Sequence, residues 1–447
     1  MAASEPIISV SGLRGTIGNQ LTPVVAMQYV AALAATLPKG RVVVGRDGRS
    51  SGKILSQAVC SALAAHGITP VDLDVAATPT VGVAVRHFQA VAGVQISASH
   101  NPKEYNGLKL FSAEGRVLPK VEGEKVLAAY RSSSSNWVGV DDLGTLTQES
   151  DPHAPHLQLV LETIDPSPIR EQKFKVLLDS NHGAGSLLGR RLLDALGCET
   201  TVLGDSPDGK FAHKPEPVAA NLVDVSKQIV EGGFAAGFCQ DPDADRLAVI
   251  DEKGEYIGEE LTLALCLLQV LPQQKGTIVT NCATSSVSKS IAKQFGCELQ
   301  QSAVGEANVC DLMLAENAVF GGEGNGGPID PKVGYVRDSF VGMARILSLL
   351  AGSGKTISQH VAELPPLSIV KDKIDMDASN LPPLLEKLTE GMPDATASQP
   401  DGLKLDWGDR WLLVRGSNTE PIVRFIAEAP TTAEAQVLCD KAKDIAG

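Results

Sequence analysis

Three stretches of the 447-residue chain repeat one pattern: apolar strand, loop rich in Gly, Ser and Asn, amphipathic helix, terminal glycine, second apolar strand. They are RVVVGRDGRSSGKILSQAVCSALAAHGITPVDLD (41–74), KVLLDSNHGAGSLLGRRLLDALGCETTVLG (175–204) and TIVTNCATSSVSKSIAKQFGCELQQSAVG (277–305). In each, the glycine after the helix (Gly67, Gly197, Gly296) suits the left-handed residue that ends a helix. Strand, helix and strand at this length make a βαβ unit, and parallel strands need such a crossover. A unit recurring at intervals of about a hundred residues predicts three similar α/β domains with mixed sheets rather than a solenoid. The last eighty or so residues read differently. A helix near 380–390 precedes LKLDWGDRWLLVRGSNTEPIVRFIAEA and a terminal helix, so the chain closes with an α+β domain.

Loop-like composition places the boundaries. RSSSSNW (131–137), ESDPHAP (149–155), DEKGEYIGEE (251–260) and LPPLS (364–368) break the periodic segments. The expected domains are 1–154, 155–256, 257–366 and 367–447. A net charge of −14, with no basic block to offset it, argues against nucleic-acid or anionic-membrane partners. The start MAASEPIISV lacks the features of a signal peptide, and LTLALCLLQVL (261–271) is too short to span a bilayer and reads as a core helix. Eight scattered cysteines without a CxxC pair fit buried thiols in a reducing, cytoplasmic setting.

Four stretches concentrate chemistry. In CQDPDADRLAVID (239–251), Asp241, Asp243 and Asp245 stand between strand-like flanks. Carboxylates so close repel unless a cation sits among them, and oxygen donors suit Mg²⁺, Ca²⁺ or Mn²⁺. An EF-hand is excluded, because its sixth position needs glycine and here holds Arg246. A solvated acidic turn is the plainer alternative. RGSNTEPIVR (415–424) offers Arg415, Ser417, Asn418, Thr419 and Arg424 around a turn, a set that fits a phosphate cradle or an ordinary polar turn. GGEGNGGPID (321–330) surrounds Glu323 and Asn325 with glycines. It suits close backbone approach to a polyol, or a flexible surface loop.

The fourth stretch is VQISASHNP (94–102), with Ser99 next to His100. On an extended chain adjacent side chains point to opposite faces, which speaks against a hydrolase pair. SGLRG (11–15) and GRDGRSSG (45–52) add Arg14, Arg46 and Arg49, and Lys109 follows Ser99 by ten residues. GSGKT (352–356) lacks the first glycine of a P-loop and the strand before it. GAGSLL (183–188) lacks the third glycine of a dinucleotide fingerprint, and no G-x-S-x-G elbow occurs. His66, His87, His153, His156 and His182 show no metal-ligand spacing and read as surface or turn residues.

Taken together and in order, SASHNP, DPDADR, GGEGNGG and RGSNTEP with Arg424 resemble the phosphoserine, metal, sugar and phosphate loops of the α-D-phosphohexomutase family. SGLRG, GRDGRSSG and KPEPVAANL (214–222) fit as well, so the resemblance spans the whole chain. It implies four domains around a central active-site cleft. It implies that Ser99 carries a phosphoryl group and, with Asp241, Asp243 and Asp245, holds one Mg²⁺. Arg14, Arg246 and Lys109 would stabilise the transferring group. Glu323 and Asn325 would bind sugar hydroxyls, and the 415–424 loop the distant phosphate. Lys109 or His100 would handle the proton.

The reaction implied interconverts hexose 6-phosphate and hexose 1-phosphate through a hexose 1,6-bisphosphate, in a monomer or homodimer. Many members have Ser and His where this chain has Asn325 and Gly327. GGEGNGG resembles the version in archaeal-type members, which include both phosphoglucosamine and phosphomannose/phosphoglucose mutases; its extra amide near the sugar favours glucosamine phosphate, with a phosphomannomutase/phosphoglucomutase as the alternative. Two rivals predict different behaviour: a phosphatase with an Asp of DPDAD as nucleophile, and a non-catalytic phosphosugar-binding protein.

Overall fold

A computed structural model describes residues 5–9, 12–133, 136–417 and 422–446. The three repeats form βαβ units: Arg41–Arg46, Gly52–Ala65 and Thr69–Val75; Lys175–Asp179, Gly185–Ala195 and Glu199–Leu203; Ile278–Asn281, Ser286–Gln294 and Leu299–Ser302. Gly67, Gly197 and Gly296 have φ of 74°, 72° and 66°. Each helix closes on the same pair of bonds. Gly67 N, Gly197 N and Gly296 N donate to the carbonyls of Ala64, Asp194 and Lys293. The residues after them, Ile68, Cys198 and Cys297, donate to Leu63, Leu193 and Ala292. This closure satisfies carbonyls that the helix itself leaves open, and only glycine enters it without steric cost.

Each unit continues into a third parallel strand and then turns back through a hairpin. In the first domain Ala92–Ile96 lies parallel to Arg41–Arg46, and Tyr105–Ser112 runs antiparallel to Ala92–Ile96. In the second, Ala236–Gln240 pairs parallel with Lys175–Asp179 and antiparallel with Leu247–Ile250. In the third, Phe320–Glu323 pairs parallel with Ile278–Asn281 and antiparallel with Gly327–Ile329. The serine, metal and sugar stretches are therefore one topological element used three times: the reversal between the last parallel strand and its antiparallel neighbour. Loops at the carboxyl ends of parallel strands are where α/β sheets place their ligands.

The second and third domains share one hydrophobic cluster that includes Leu178, Phe238, Leu247, Leu265, Phe320, Phe340 and Leu347. The helix Glu259–Val270 lies in it, as its apolar run predicts. Among the described residues no helix is long and apolar enough to cross a membrane. The eight cysteines are free thiols, most of them buried. The fourth domain is an antiparallel sheet ordered Ser368–Asp375, Ile422–Ala429, Trp411–Gly416, Leu403–Asp406 and Thr396–Ser398. Leu384 and Leu388 of the helix Leu381–Gly391, with Ala435 and Cys439 of the helix Thr432–Ala446, complete its own core.

The histidines correct one expectation. His66, His153 and His156 are buried. His156 lies at a three-domain junction, with Nδ1 2.9 Å from Thr80 Oγ1 and Nε2 2.7 Å from Asp338 Oδ2. A histidine on an amphipathic helix gives no local sign that both ring nitrogens have buried partners.

Candidate active site

Ser99 is buried and adopts a left-handed backbone, with φ of 48°. That conformation costs a β-bearing residue on the order of 1–3 kcal/mol and persists only where neighbours enforce it. Here they do. Ser97 Oγ accepts from Ser99 N (2.9 Å) and donates to Asp47 Oδ2 (2.7 Å). Arg49, ion-paired with Asp47 at 3.0 Å, donates to the carbonyls of Ser99 (2.6 Å), Asn101 (2.6 Å) and Pro102 (2.7 Å).

The turn also corrects the argument from extended chain. Ser99 Oγ lies 3.3 Å from His100 Nδ1, because residue 99 is not extended. Ser99 Oγ donates to Asp241 Oδ2 at 2.7 Å, across the boundary between two domains.

Asp241, Asp243 and Asp245 are fully buried, and one oxygen from each lies within 4.8 Å of the others. The solvated-turn alternative is therefore excluded. Lys109 Nζ, from the strand after the serine loop, lies 2.8 Å from Asp245 Oδ2 and 3.3 Å from Asp243 Oδ2. Thr78 Oγ1 donates to Asp243 Oδ2 at 2.6 Å. Asp243 Oδ1 and Asp245 Oδ1 are buried without a hydrogen-bond partner. Orphaned carboxylate oxygens in a three-acid cluster are what a hard divalent cation satisfies, so the residues present fit Mg²⁺.

The electrostatics agree. Burial, then Asp243 and Asp245, push the Asp241 carboxyl well above its ordinary value. Burial acts to raise Asp245 too, but Arg337, Lys109 and Arg246 outweigh it and hold it low. Burial opposes the Lys109 charge, yet Asp245 and Asp243 raise its pKa on balance, so it stays an ammonium. Burial, reinforced by Arg246 and Arg14, brings His100 down to about 3, so its imidazole is neutral.

Arg14 Nη1 donates to Asn101 Oδ1 at 3.2 Å, at the edge of the serine loop. Arg246 N donates to Asp241 Oδ1 at 3.2 Å, and its Nε lies 3.9 Å from Asp245 Oδ1. The sugar stretch joins the same cluster. Glu323 is buried and accepts from Asn281 Nδ2 (2.8 Å), Gly305 N (3.2 Å) and Asn325 Nδ2 (3.3 Å). It is no flexible surface loop: Leu247 N, just past the metal loop, donates to Gly326 O at 2.8 Å.

In the fourth domain Arg415 pairs directly across the sheet with Arg424, which in turn faces Lys373 on the next strand. Arg415 is paired with Asp401 at 2.7 Å. Ser417 is described, whereas Asn418 and Thr419 lie outside the described residues.

Residues that sequence reading passed over complete the site. Arg337 Nη2 contacts Asp245 Oδ2 at 2.6 Å and Nη1 contacts Glu323 Oε2 at 3.0 Å. Glu306 accepts from Arg337 N at 3.0 Å. None of these, nor Thr78, stands in a patterned motif. Residue 337 is marked only by its place directly before the long helix Ser339–Ser353.

Four profiles of one family match the chain end to end. "Phosphoglucomutase/phosphomannomutase, alpha/beta/alpha domain I" matches residues 7–137, domain II 154–254, domain III 259–367 and the C-terminal domain 370–445. A Thermococcus kodakarensis phosphoglucomutase/phosphomannomutase is 36% identical over 95% of each chain. The chain belongs to the α-D-phosphohexomutase family.

A Methanopyrus kandleri protein named a probable phosphoglucosamine mutase is 31% identical over 97% of this chain and 96% of its own. Among solved structures, a phosphoglucomutase/phosphomannomutase family protein from Burkholderia thailandensis superposes with a TM-score of 0.85 at 25% identity, covering 98% of this chain and 97% of its own. Phosphohexomutases are intramolecular phosphotransferases, and this chain carries all four of their domains.

Proposed function

We propose that the protein interconverts hexose 6-phosphate and hexose 1-phosphate, with Ser99 as the phosphoryl carrier. The observation that supports this most is the 2.7 Å contact between Ser99 Oγ and Asp241, inside a three-acid cluster with orphaned oxygens. Ser99, Asp241, Asp243 and Asp245 would hold the Mg²⁺, which when bound neutralises phosphoryl charge and makes phosphorus more electrophilic.

In the first half-reaction the bond from phosphorus to Ser99 Oγ breaks, and a bond forms to the free hydroxyl of a hexose monophosphate. The product is a hexose 1,6-bisphosphate. It turns around without leaving, and the other phosphoryl returns to Ser99. Lys109, kept as an ammonium by its two carboxylate partners, serves as fixed charge along with Arg14 and Arg246. The attacking hydroxyl gives up its proton as the new bond forms and Ser99 Oγ takes one up as it leaves; His100, with Nδ1 3.3 Å from Ser99 Oγ, is placed to pass that proton.

Glu323 and Asn325 present acceptors to the sugar in either orientation. Arg415, Ser417, Asn418, Thr419 and Arg424 take the phosphate away from the chemistry. The fourth domain would move as a unit to admit and retain the intermediate.

For the sugar, we favour glucosamine phosphate. Asn325 Oδ1 makes no hydrogen bond, and it lies in the loop with Glu323, so an amine donor finds one open acceptor there. The 36% identity to a phosphoglucomutase/phosphomannomutase favours the second reading, glucose or mannose phosphate. A coupled assay of kcat/KM on the three 1-phosphates separates them. A clear preference for glucosamine 1-phosphate is expected. Equal or higher values for glucose or mannose would remove that assignment, and net phosphate release without isomerisation would remove the mutase reading.

A further inference from the structure

Arg337 is buried and reaches two loops with one guanidinium: Nη2 to Asp245 Oδ2 at 2.6 Å and Nη1 to Glu323 Oε2 at 3.0 Å. Its backbone N donates to Glu306 Oε1 at 3.0 Å. Its Nε is 3.4 Å from Glu306 Oε2, close enough for charge attraction, yet it makes no hydrogen bond.

The residues that follow bind the same region. Asp338 caps the helix Ser339–Ser353, accepting from Phe340 N and Val341 N at 2.9 and 3.2 Å. Ser339 Oγ donates to Ala244 O, inside the metal loop, at 2.7 Å and accepts from Gln240 Nε2 at 2.8 Å. The start of this helix is thus anchored beneath the three acids, and Arg337 projects from that anchor.

Room for the arginine comes from Gly327. A Cβ at residue 327 would lie 2.4 Å from Arg337 Cδ, 2.8 Å from its Cγ and 3.0 Å from its Cβ. No side chain fits there while the arginine stem stays in place. The absence of a side chain at 327 and the presence of Arg337 are two halves of one packing solution.

We propose that Arg337 is a positioning residue that couples the metal loop to the sugar loop, and that position 327 is glycine to leave it room. The inference rests on the functional reading above in taking Asp245 as a metal ligand and Glu323 as a sugar ligand. A planar fork satisfies two carboxylates at once, whereas an ammonium is a single point charge. Arg337→Lys therefore keeps the charge but loses the bridge.

The test is isothermal calorimetry on the full chain, with Mg²⁺ alone and then with glucosamine 6-phosphate and glucose 6-phosphate, beside steady-state kinetics. For Arg337→Lys we expect Mg²⁺ affinity and hexose-phosphate affinity to fall together, each by about tenfold or more, the size of effect typical of residues that orient ligands. Gly327→Ala should reproduce both losses by displacing the stem. In a double-mutant cycle with Glu323→Gln, the losses in sugar affinity should be less than additive.

Arg337→Met keeps much of the buried stem and replaces the lysine variant should that one not fold. Mg²⁺ and sugar affinities within twofold of the parent in a folded Arg337 variant would overturn the proposal. So would loss of one affinity without the other. Binding is read without turnover, so these outcomes stand apart from the mutase reading, which fails only if the parent isomerises none of the sugars.

Discussion

Three of the functional loops interlock, whereas the fourth domain presents its arginines from a separate sheet. Ser99 bonds to Asp241, Thr78 to Asp243, Lys109 to Asp243 and Asp245, and Arg337 to Asp245 and Glu323. These bonds cross from the first to the second domain and from the second to the third, mostly between fully buried groups. The fourth domain has its own core and meets the third through a different set. Trp411 Nε1 donates to Ser286 Oγ at 3.0 Å, Ser286 N donates to Glu428 Oε1 at 3.0 Å, and Lys404 Nζ donates to Cys282 O at 2.8 Å. Val304 N donates to Asp401 Oδ2 at 3.2 Å.

The difference matches a division of labour. Phosphoryl transfer needs carrier, counter-charges and sugar held to within fractions of an ångström. Under the proposed reaction, a bisphosphate that turns around would need one wall that gives way.

The sharpest way to break this comparison is to remove the carrier. Ser99→Ala should lower mutase turnover by about a thousandfold or more, because no covalent relay remains. Circular dichroism and melting temperature should match the parent, since Asp47, Ser97 and Arg49 still hold the turn. Near-normal turnover in this variant would refute the relay.

Next in size is the metal cluster. Chelation should abolish turnover and Mg²⁺ should restore it. Asp243→Asn should weaken Mg²⁺ binding by about tenfold to a hundredfold in calorimetry. Unchanged Mg²⁺ affinity in that variant would show that the orphaned oxygens serve something else.

The fourth domain should respond in another kinetic constant. If Arg424 holds the distant phosphate as proposed, Arg424→Ala removes a charge-assisted contact worth about 1.5–3 kcal/mol, so KM should rise by roughly tenfold to a hundredfold while kcat falls less. A loss confined to kcat would place Arg424 with the chemistry and erase the division drawn above.

The smallest effect concerns the joint between the third and fourth domains. Glu260 is half-buried, and its desolvation brings its carboxyl up to about 8, against an ordinary 4.5, even with Lys371 nearby and Ser285 N donating to it. The folded chain therefore holds a proton that the unfolded chain releases at lower pH. Stability is undiminished below about 4.5, falls as pH rises toward about 8, and then levels off. Glu260→Gln should flatten that decline in denaturant titrations at several pH values. An unchanged slope would mean that Glu260 is ionised in the fold.

The three βαβ repeats and their closing glycines were legible in the sequence because helix closure is a local matter of a few residues. The serine, metal and sugar stretches were legible as motifs, but their common origin in one hairpin position was not, since that depends on strand pairing. The strand Ser368–Asp375 escaped notice. SIVKDKID is charged along a partly exposed sheet edge, where no clear apolar face marks it. Arg337, Glu306 and Thr78 had no legible role, because a lone side chain acquires one only from what three domains bring near it. The neighbourhood of Ser99 and His100 was misjudged for a related reason: the left-handed turn at Ser99 is enforced by Arg49, fifty residues earlier.

The central claim is that Ser99 carries the phosphoryl group. Peptide mapping by mass spectrometry after incubation with Mg²⁺ and glucose 1,6-bisphosphate tests it directly. We predict one phosphoryl group per chain, located on Ser99 and discharged by excess hexose monophosphate. Turnover with Ser99 unmodified, or with the phosphoryl group on another residue, would contradict it.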